Sequence, residues 1–204
     1  MDELDLLEWK RRVFALYAEV RGASDREAAW RRWRTGRDEL FRGHPQSPLP
    51  LEKRASFAGL SYFEHDPSLR FVADVEPAEE ARILIAGSGD EATSFRRFAT
   101  VTFELDGGPR RLALYWLEAY GGGVFLPFAD ATSGRETYGA GRYLLDTVKG
   151  ADLGEEDRRL VLDFNFAYNP SCAYDPRWAC PLAPPENRLP VEIRAGERTV
   201  SDTR

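Results

Sequence analysis

The sequence predicts a mostly β protein of the α+β kind: an antiparallel barrel or sandwich of about nine strands, with two N-terminal helices packed outside. Three observations predict it. Helical spacing of apolar residues is confined to the N-terminal quarter. From Arg54 onward the apolar runs are short or alternating and are bounded by turn residues. Between two of them stands Asp106-Gly107, a dipeptide suited to the hairpin turn that needs positive φ.

The first helix is predicted from Leu6, Trp9, Val13, Tyr17 and Val20, which fall on one stripe at helical spacing. Gly22 stops it, and Ser24 with Glu27 reads as a capping box that opens the second helix. That helix carries Ala29, Trp33 and Leu40 on its apolar side and ends near Gly43. "GHPQSPLP" follows as an extended connector, since proline disfavours helix at the residue before it. The strands are expected at "FAGLSYF", "LRFVADV", "ARILIA", "FATVTFEL", "RRLALYWLEA" and "VFLPF". Others are expected near 137–148, 160–167 and 191–194. The expected organisation is a helical hairpin at 1–43, a barrel-like domain at 44–196 with a Pro-rich strap at 168–190, and a polar, fraying tail at 197–204.

Composition narrows the function classes. The net charge of −6 disfavours a general nucleic-acid binder, whose balance is usually basic. No apolar run approaches the roughly 20 residues that cross a bilayer. "MDELDLLEWKRR" has neither an apolar signal core nor a small-residue cleavage site, so the chain is expected in the cytoplasm, with no membrane partner. Two cysteines are too few for a disulfide scaffold.

Three weak motifs have plain structural readings. Gly87-Ser-Gly89-Asp-Glu-Ala92 fits a dinucleotide fingerprint, but too few residues follow for the helix that would hold a pyrophosphate, so a hairpin turn is expected. The arginines of the second helix are interleaved with Trp30 and Trp33. Glu27–Arg31 and Asp38–Arg42 stand at the favourable helix-pair spacing, which reads as a solvated face. His44, His65, Cys172 and Cys180 have the side chains of a zinc site without its short ligand spacings, so no metal site is predicted.

Two stretches carry more information. In "LVLDFNFA" the alternation places Leu160, Leu162, Phe164 and Phe166 on one face and Asp163 and Asn165 on the other, where they would line a barrel interior or mouth. The following "AYNPSCAYDPRWACPLAPPENRLP" is a loop stiffened by six prolines, with Tyr168, Asn169, Tyr174, Trp178, Glu186 and Asn187 to tie it down or to bind. Upstream, in "FADATSGRETYGAGRYLLD", Asp130, Thr132 and Gly134 suit a turn, and Glu136, Tyr138 and Arg142 share a strand parity. Gly139 and Gly141 leave room for a ligand or another chain segment to approach, and Glu136–Arg142 suits a buried ion pair.

"FADATSGRETYGAGRYL" and "LDFNFAYNPSCAYDPRWACPLAPPENRLPVEIRAGE" resemble the two signature blocks of the prokaryotic family called domain of unknown function 1684. The resemblance spans nearly the whole chain. It implies no activity, cofactor or catalytic residue. Some relatives are exported or lipid-anchored, and the want of such a leader here puts a disulfide between Cys172 and Cys180 in doubt.

Three functions are therefore open. The first is a site for a small polar ligand, with Asp130, Glu136, Arg142 and Asp163 as candidate catalytic groups. Tyr138, Asn165, Tyr168, Asn169, Glu186 and Asn187 would bind the ligand, behind the proline-stiffened strap. If the site is an enzyme's, hydrolysis is expected, with one buried carboxylate as acid or base and Arg142 stabilising negative charge. The second is a thiol or redox protein using Cys172 and Cys180. The third is a non-catalytic interaction module. The cofactor, the ligand and the oligomeric state are not legible in the sequence.

Overall fold

The computed structural model describes residues 2–89, 92–118 and 120–199. Helix α1 (Asp2–Gly22) begins with Asp2, Glu3 and Asp5, carboxylates that favour the positive end of a helix dipole. Tyr17 is its buried residue, with Trp9, Val13, Leu16 and Val20 half-buried against the core. Leu6, expected on that stripe, is exposed. Helix α2 (Arg26–Gly43) is capped by Asp25 rather than by Ser24. The Asp25 carboxylate accepts the Ala28 N–H at 2.9 Å, because it is Asp25 that holds the extended backbone preceding the first turn. Ala29, Trp30, Trp33, Leu40 and Phe41 bury one face, and a short helix α3 (Leu51–Arg54) follows.

Eight strands follow among the described residues: β1 (Arg70–Ala73), β2 (Val75–Ala86), β3 (Ala92–Leu105), β4 (Gly108–Leu117), β5 (Gly123–Phe128), β6 (Arg142–Asp146), β7 (Glu155–Glu156) and β8 (Arg159–Asp163). They form two antiparallel sheets, ordered β1-β8-β7 and β2-β3-β4-β5-β6, in place of a closed barrel. The chain leaves one sheet for the other at Asp74, so "LRFVADV" is divided between β1 and β2. The hairpin reading of the Gly87–Ala92 segment agrees with the pairing of Ala86 and Ala92 across β2 and β3, while Asp90 and Glu91 lie outside the described residues. Asp106 (φ 52°) and Gly107 (φ 72°) make the expected β3–β4 turn.

Four expected strands change, and the one near 137–148 is confined to β6, with 137–141 irregular and a 3-10 turn at Thr147–Lys149. "FAGLSYF" makes an isolated bridge, Tyr62 to Glu197, and 191–194 is irregular. The last strand of the 160–167 stretch stops at Asp163, because the Asp163 side chain accepts the Asn165 N–H and turns Phe164–Phe166 into a 3-10 helix. Phe164 and Phe166 still face the core, but Asn165 is buried with them rather than on an opposite strand face.

Aromatic contacts tie the sheets together: Phe71–Phe103 at 4.8 Å, Phe103–Phe164 at 5.4 Å and Phe128–Phe164 at 5.1 Å between ring centroids. Trp33–Phe166 at 5.1 Å joins α2 to the same core. Truncating a fully buried phenylalanine such as Phe164 costs about 3–5 kcal/mol. The strap is laid on this scaffold by its backbone. Tyr168 exchanges hydrogen bonds with Tyr143 (2.8 and 3.0 Å), Leu182 donates to Ala86 (3.0 Å) and Leu189 to Ala129 (2.8 Å). Gly141, at φ +97°, is where a chain segment comes close: a Cβ there would stand 2.5 Å from the Phe128 carbonyl oxygen and 2.7 Å from the Ala183 Cβ of the strap.

Candidate functional site

The four candidate catalytic groups occupy three environments. Asp130 and Arg142 pair at 3.5 Å, both inaccessible to solvent. The Asp130 carboxylate accepts the Ile193 N–H (2.6 Å) and the Thr132 hydroxyl (2.8 Å). The Arg142 guanidinium donates to the carbonyls of Ala195, Ile193 and Glu197. Burial pulls the Arg142 pKa down to about 10, with Asp130 and Glu197 holding it up. The pair binds the irregular 193–197 segment to β6.

Glu136 does not pair with Arg142. It meets Arg194 at 2.9 Å near the surface. Asp163 lies apart from both, accepting from Asn165 at 2.8 and 3.1 Å, with Arg70 at 3.9 Å. Burial raises its pKa, and Asn165 and Arg70 oppose the rise. Asp130, Glu136 and Asp163 thus stand in separate environments, each beside its own partner.

The amides and Glu186 serve as fasteners. Asn165 accepts the Asp66 N–H and donates to the Asp66 carbonyl, both at 2.8 Å, acting as a strand partner for one residue. Asn187 accepts from the Ala113 N–H (2.8 Å) and donates to the carbonyls of Ala113 (3.0 Å) and Pro127 (2.7 Å). Glu186 accepts from Tyr115 (2.6 Å) and Arg97 (2.8 Å). Tyr138 instead stands 3.6 Å from the sulfur of Cys172. The zinc-type residues are scattered: His44 faces Glu8 and Trp9, and His65 faces Trp30. Among the described residues no group of three or more His, Cys, Asp or Glu could hold a metal ion. Nor is any described helix long and apolar enough to cross a membrane.

Tyr168 and Asn169 do come together at a cavity, with partners that sequence reasoning missed. Glu197, assigned to the tail, is fully buried. Gly196, at φ +75°, turns it inward where a Cβ would meet the Ala167 carbonyl oxygen at 2.6 Å. Its carboxylate takes the Arg37 guanidinium at 2.7 Å, the Asn169 N–H at 3.1 Å, the Asn169 Nδ2 at 3.2 Å and the Tyr174 hydroxyl. Arg37 also donates to Tyr62 (3.0 Å) and lies about 5 Å from the ring centres of Trp33, Phe41 and Tyr168.

Burial raises the Glu197 pKa, with Arg37 working against it. Desolvation alone would lower that of Arg37, but Tyr62, Glu197 and Tyr174 outweigh it and hold the guanidinium charged. The solvated-face reading of α2 therefore fails at Arg37. Trp30, Trp33, Arg37 and Phe41 recur at helical spacing, and that signal places Arg37 on the buried face. For Glu197 the local sequence carries no comparable signal.

The cavity, of about 80 Å³, lies between α1, α2 and the start of the strap, with Trp9, Tyr17, Arg37, Lys149, Tyr168 and Asn169 in its lining. Two residues of that lining carry a buried polar atom with no well-formed hydrogen bond: the Tyr17 hydroxyl, which sits beside the Trp33 indole, and Asn169 Oδ1. The amide orientation is fixed by chemistry, since Nδ2 donates to two acceptors, Glu197 Oε1 and the Arg198 carbonyl. The oxygen is then left facing no donor. Lys149 is paired with Asp146 at 3.3 Å, which raises its pKa, and Arg37 with Glu197, so the lining is close to neutral. A second cavity of about 190 Å³ shares Tyr143 and Lys149 and is lined by Phe95, Phe125 and Pro181. A cleft of about 150 Å³ contains Arg21, Arg26, Arg70, Glu156 and Asp163. There Glu156 is satisfied by Arg26 (3.0 Å) and Arg70 (2.6 Å), and none of the unpartnered buried atoms belongs to its lining.

Comparison with known proteins adds the setting. A family described as a protein of unknown function, DUF1684, matches residues 55–198. The solution NMR structure of an uncharacterized protein from Haloarcula marismortui is similar at 36% identity with a TM-score of 0.61, covering 87% of this chain and 96% of that one. None of the curated proteins matches.

Proposed function

Because the chain belongs to the DUF1684 family of unknown function, its chemistry has to be read from its own site, and we propose that it binds a small neutral polar molecule in the cavity between the helices and the strap. The observation that carries the reading is that two residues lining one cavity, Tyr17 and Asn169, each hold a buried polar atom, Oη and Oδ1, without a well-formed hydrogen bond. A buried polar group without a partner costs about 1–3 kcal/mol, a cost that a ligand with matching groups removes. Asn169 Oδ1 requires a donor from the ligand, and the Tyr17 hydroxyl takes either role.

Size and charge narrow the class. One water molecule needs about 10–15 Å³ of such space, so about 80 Å³ suits on the order of five to eight heavy atoms. The local cations are already paired, which favours a polyol or amide over an anion. Trp9, Tyr17 and Tyr168 offer rings against its carbon face. Hydrolysis by Asp130 and Arg142 finds no support here, because both are committed to one another and to the 193–197 backbone.

The test is a panel of small polyols and amides, glycerol, erythritol, urea and acetamide, screened by thermal shift and by NMR chemical-shift perturbation against the parent and Tyr17→Phe. A panel member is expected to stabilise the parent by mass action and to bind Tyr17→Phe about tenfold more weakly, the worth of one hydrogen bond. A panel inert toward the parent, or binding equally well to Tyr17→Phe, overturns the reading.

A further inference from the structure

The strap brings the chain's two cysteines together outside the cavity. The Cys172 N–H donates to the Cys180 sulfur at 3.3 Å, although seven residues separate them. Both are free thiols, Cys172 part-exposed and Cys180 buried. The setting is polar. The Tyr138 hydroxyl stands 3.6 Å from the Cys172 sulfur. Ser88 reaches the same place, its oxygen accepting the Cys180 N–H at 3.1 Å. Backbone bonds hold the pair to the sheet, from Ser88 N–H to the Cys180 carbonyl (2.9 Å) and from Leu182 N–H to Ala86 (3.0 Å). A buried structural cysteine needs none of this, whereas an accessible sulfur with a buried second sulfur beside it is the arrangement of an attacking and a resolving thiol.

We propose that Cys172 and Cys180 are a peroxide-reactive thiol pair, Cys172 attacking a small hydroperoxide and Cys180 resolving the product to a disulfide. In the first step the Cys172 thiolate attacks the terminal oxygen of ROOH. The S–O bond forms, the O–O bond breaks, and RO⁻ leaves and takes a proton from water, giving ROH and Cys172–SOH. In the second step the Cys180 sulfur attacks the Cys172 sulfur. The S–O bond breaks, and the Cys180 proton departs with the hydroxide as water. Two thiols have lost two electrons, and the O–O bond has gained them. A small dithiol such as dithiothreitol restores the reduced pair.

The groups facing the pair set its titration. The Cys180 thiol foremost, with the Tyr138 hydroxyl, donates toward Cys172 and brings its pKa down to about 6 against the opposing effect of burial. Cys180 moves the other way, because it gives its hydrogen bond to Cys172 and is buried. Tyr143 and Lys149 are the remaining titratable groups that feel both sulfurs. Lys149 favours the anion. Once Cys172 is oxidised to the neutral sulfenic acid, the charge that suppressed ionisation of Cys180 is gone, which orders the two steps.

The experiment treats reduced full-length protein with hydrogen peroxide at several pH values, alkylates the remaining thiols after timed quenching, and maps the peptides by mass spectrometry. A Cys172–Cys180 disulfide within one chain is expected, with a rate half-maximal near pH 6 and flat between pH 7 and 8. An ordinary thiol climbs close to tenfold (about one power of ten per unit) over that interval. Cys180→Ser is expected to stop at a sulfenic acid on Cys172 that dimedone captures, and Cys172→Ser to leave Cys180 reduced. Far-ultraviolet circular dichroism of both variants confirms their fold. Two thiols that stay alkylatable, oxidation that follows an ordinary thiol's pH profile, or equal oxidation of Cys180 in Cys172→Ser overturns the proposal. So does disulfide between chains in place of the internal one.

Discussion

Arg37→Met tests the account of the buried hub most directly. The Arg37–Glu197 pair spans 2.7 Å, with side-chain exposures of 12% and 1%. Removing one partner of a buried ion pair strands the other in low dielectric, a loss of about 3–5 kcal/mol. Methionine refills part of the aromatic cage of Trp33, Phe41 and Tyr168, so a destabilisation of about 3 kcal/mol at neutral pH is expected. The pH dependence gives the sharper readout. Glu197 already has a raised pKa, burial outweighing Arg37, and the substitution raises it further. A carboxyl raised on folding contributes stability that is complete below its unfolded pKa, about 4.3, and is lost as pH climbs through the folded value. The deficit of Arg37→Met relative to the parent should therefore be smallest near pH 4–5 and grow toward pH 7, by up to about 1.4 kcal/mol per unit. Urea unfolding of both proteins across that range measures it. Adding Glu197→Gln should return roughly half the loss or more, since the stranded charge is gone. A deficit under about 1 kcal/mol that does not vary with pH would refute the hub as an energetic unit.

Other substitutions separate fasteners from bystanders. Asn187→Ala removes three hydrogen bonds and strands buried backbone groups of Ala113 and Pro127, so chemical denaturation should register a loss of about 2–4 kcal/mol. Gly196→Ala forces a Cβ to 2.6 Å from a backbone oxygen at positive φ. A loss of about 2 kcal/mol or more is expected, with Glu197 loosened, which hydrogen exchange at Asn169 N–H reports. Glu136→Gln disturbs an ion pair whose arginine is more than half exposed, and its melting curve should match the parent's to within about 1 kcal/mol. Tyr17→Phe without ligand should be as stable as the parent or firmer by about 1 kcal/mol, because its buried hydroxyl makes no well-formed hydrogen bond.

The difference between fasteners and site residues bears on what was legible. Asp163, Asn165, Glu186 and Asn187 stood out as unusual residues in strand-like or Pro-rich surroundings. The structure uses Asn165 and Asn187 in place of backbone partners where the chain leaves regular pairing. Polar residues that mark a site and polar residues that close an irregular backbone have the same signature in one dimension. Tyr168 and Asn169 were readable as binding candidates, but the groups that surround them come from α1, α2 and the far C-terminus.

The sequence alone determined what depends on neighbours along the chain. The two helices follow from apolar spacing and the β3–β4 hairpin from Asp106-Gly107. The two signature blocks likewise marked the family. Tertiary structure decided the rest: that the strands divide into two sheets at Asp74, that Arg37 meets a carboxylate 160 residues away, and that Tyr17 and Asn169 share a cavity. Local order rests on steric and hydrogen-bonding preferences over a few residues. A buried ion pair or an unpartnered hydroxyl is defined only by what distant segments place around it, and desolvation, which sets its energy, exists only once they have closed.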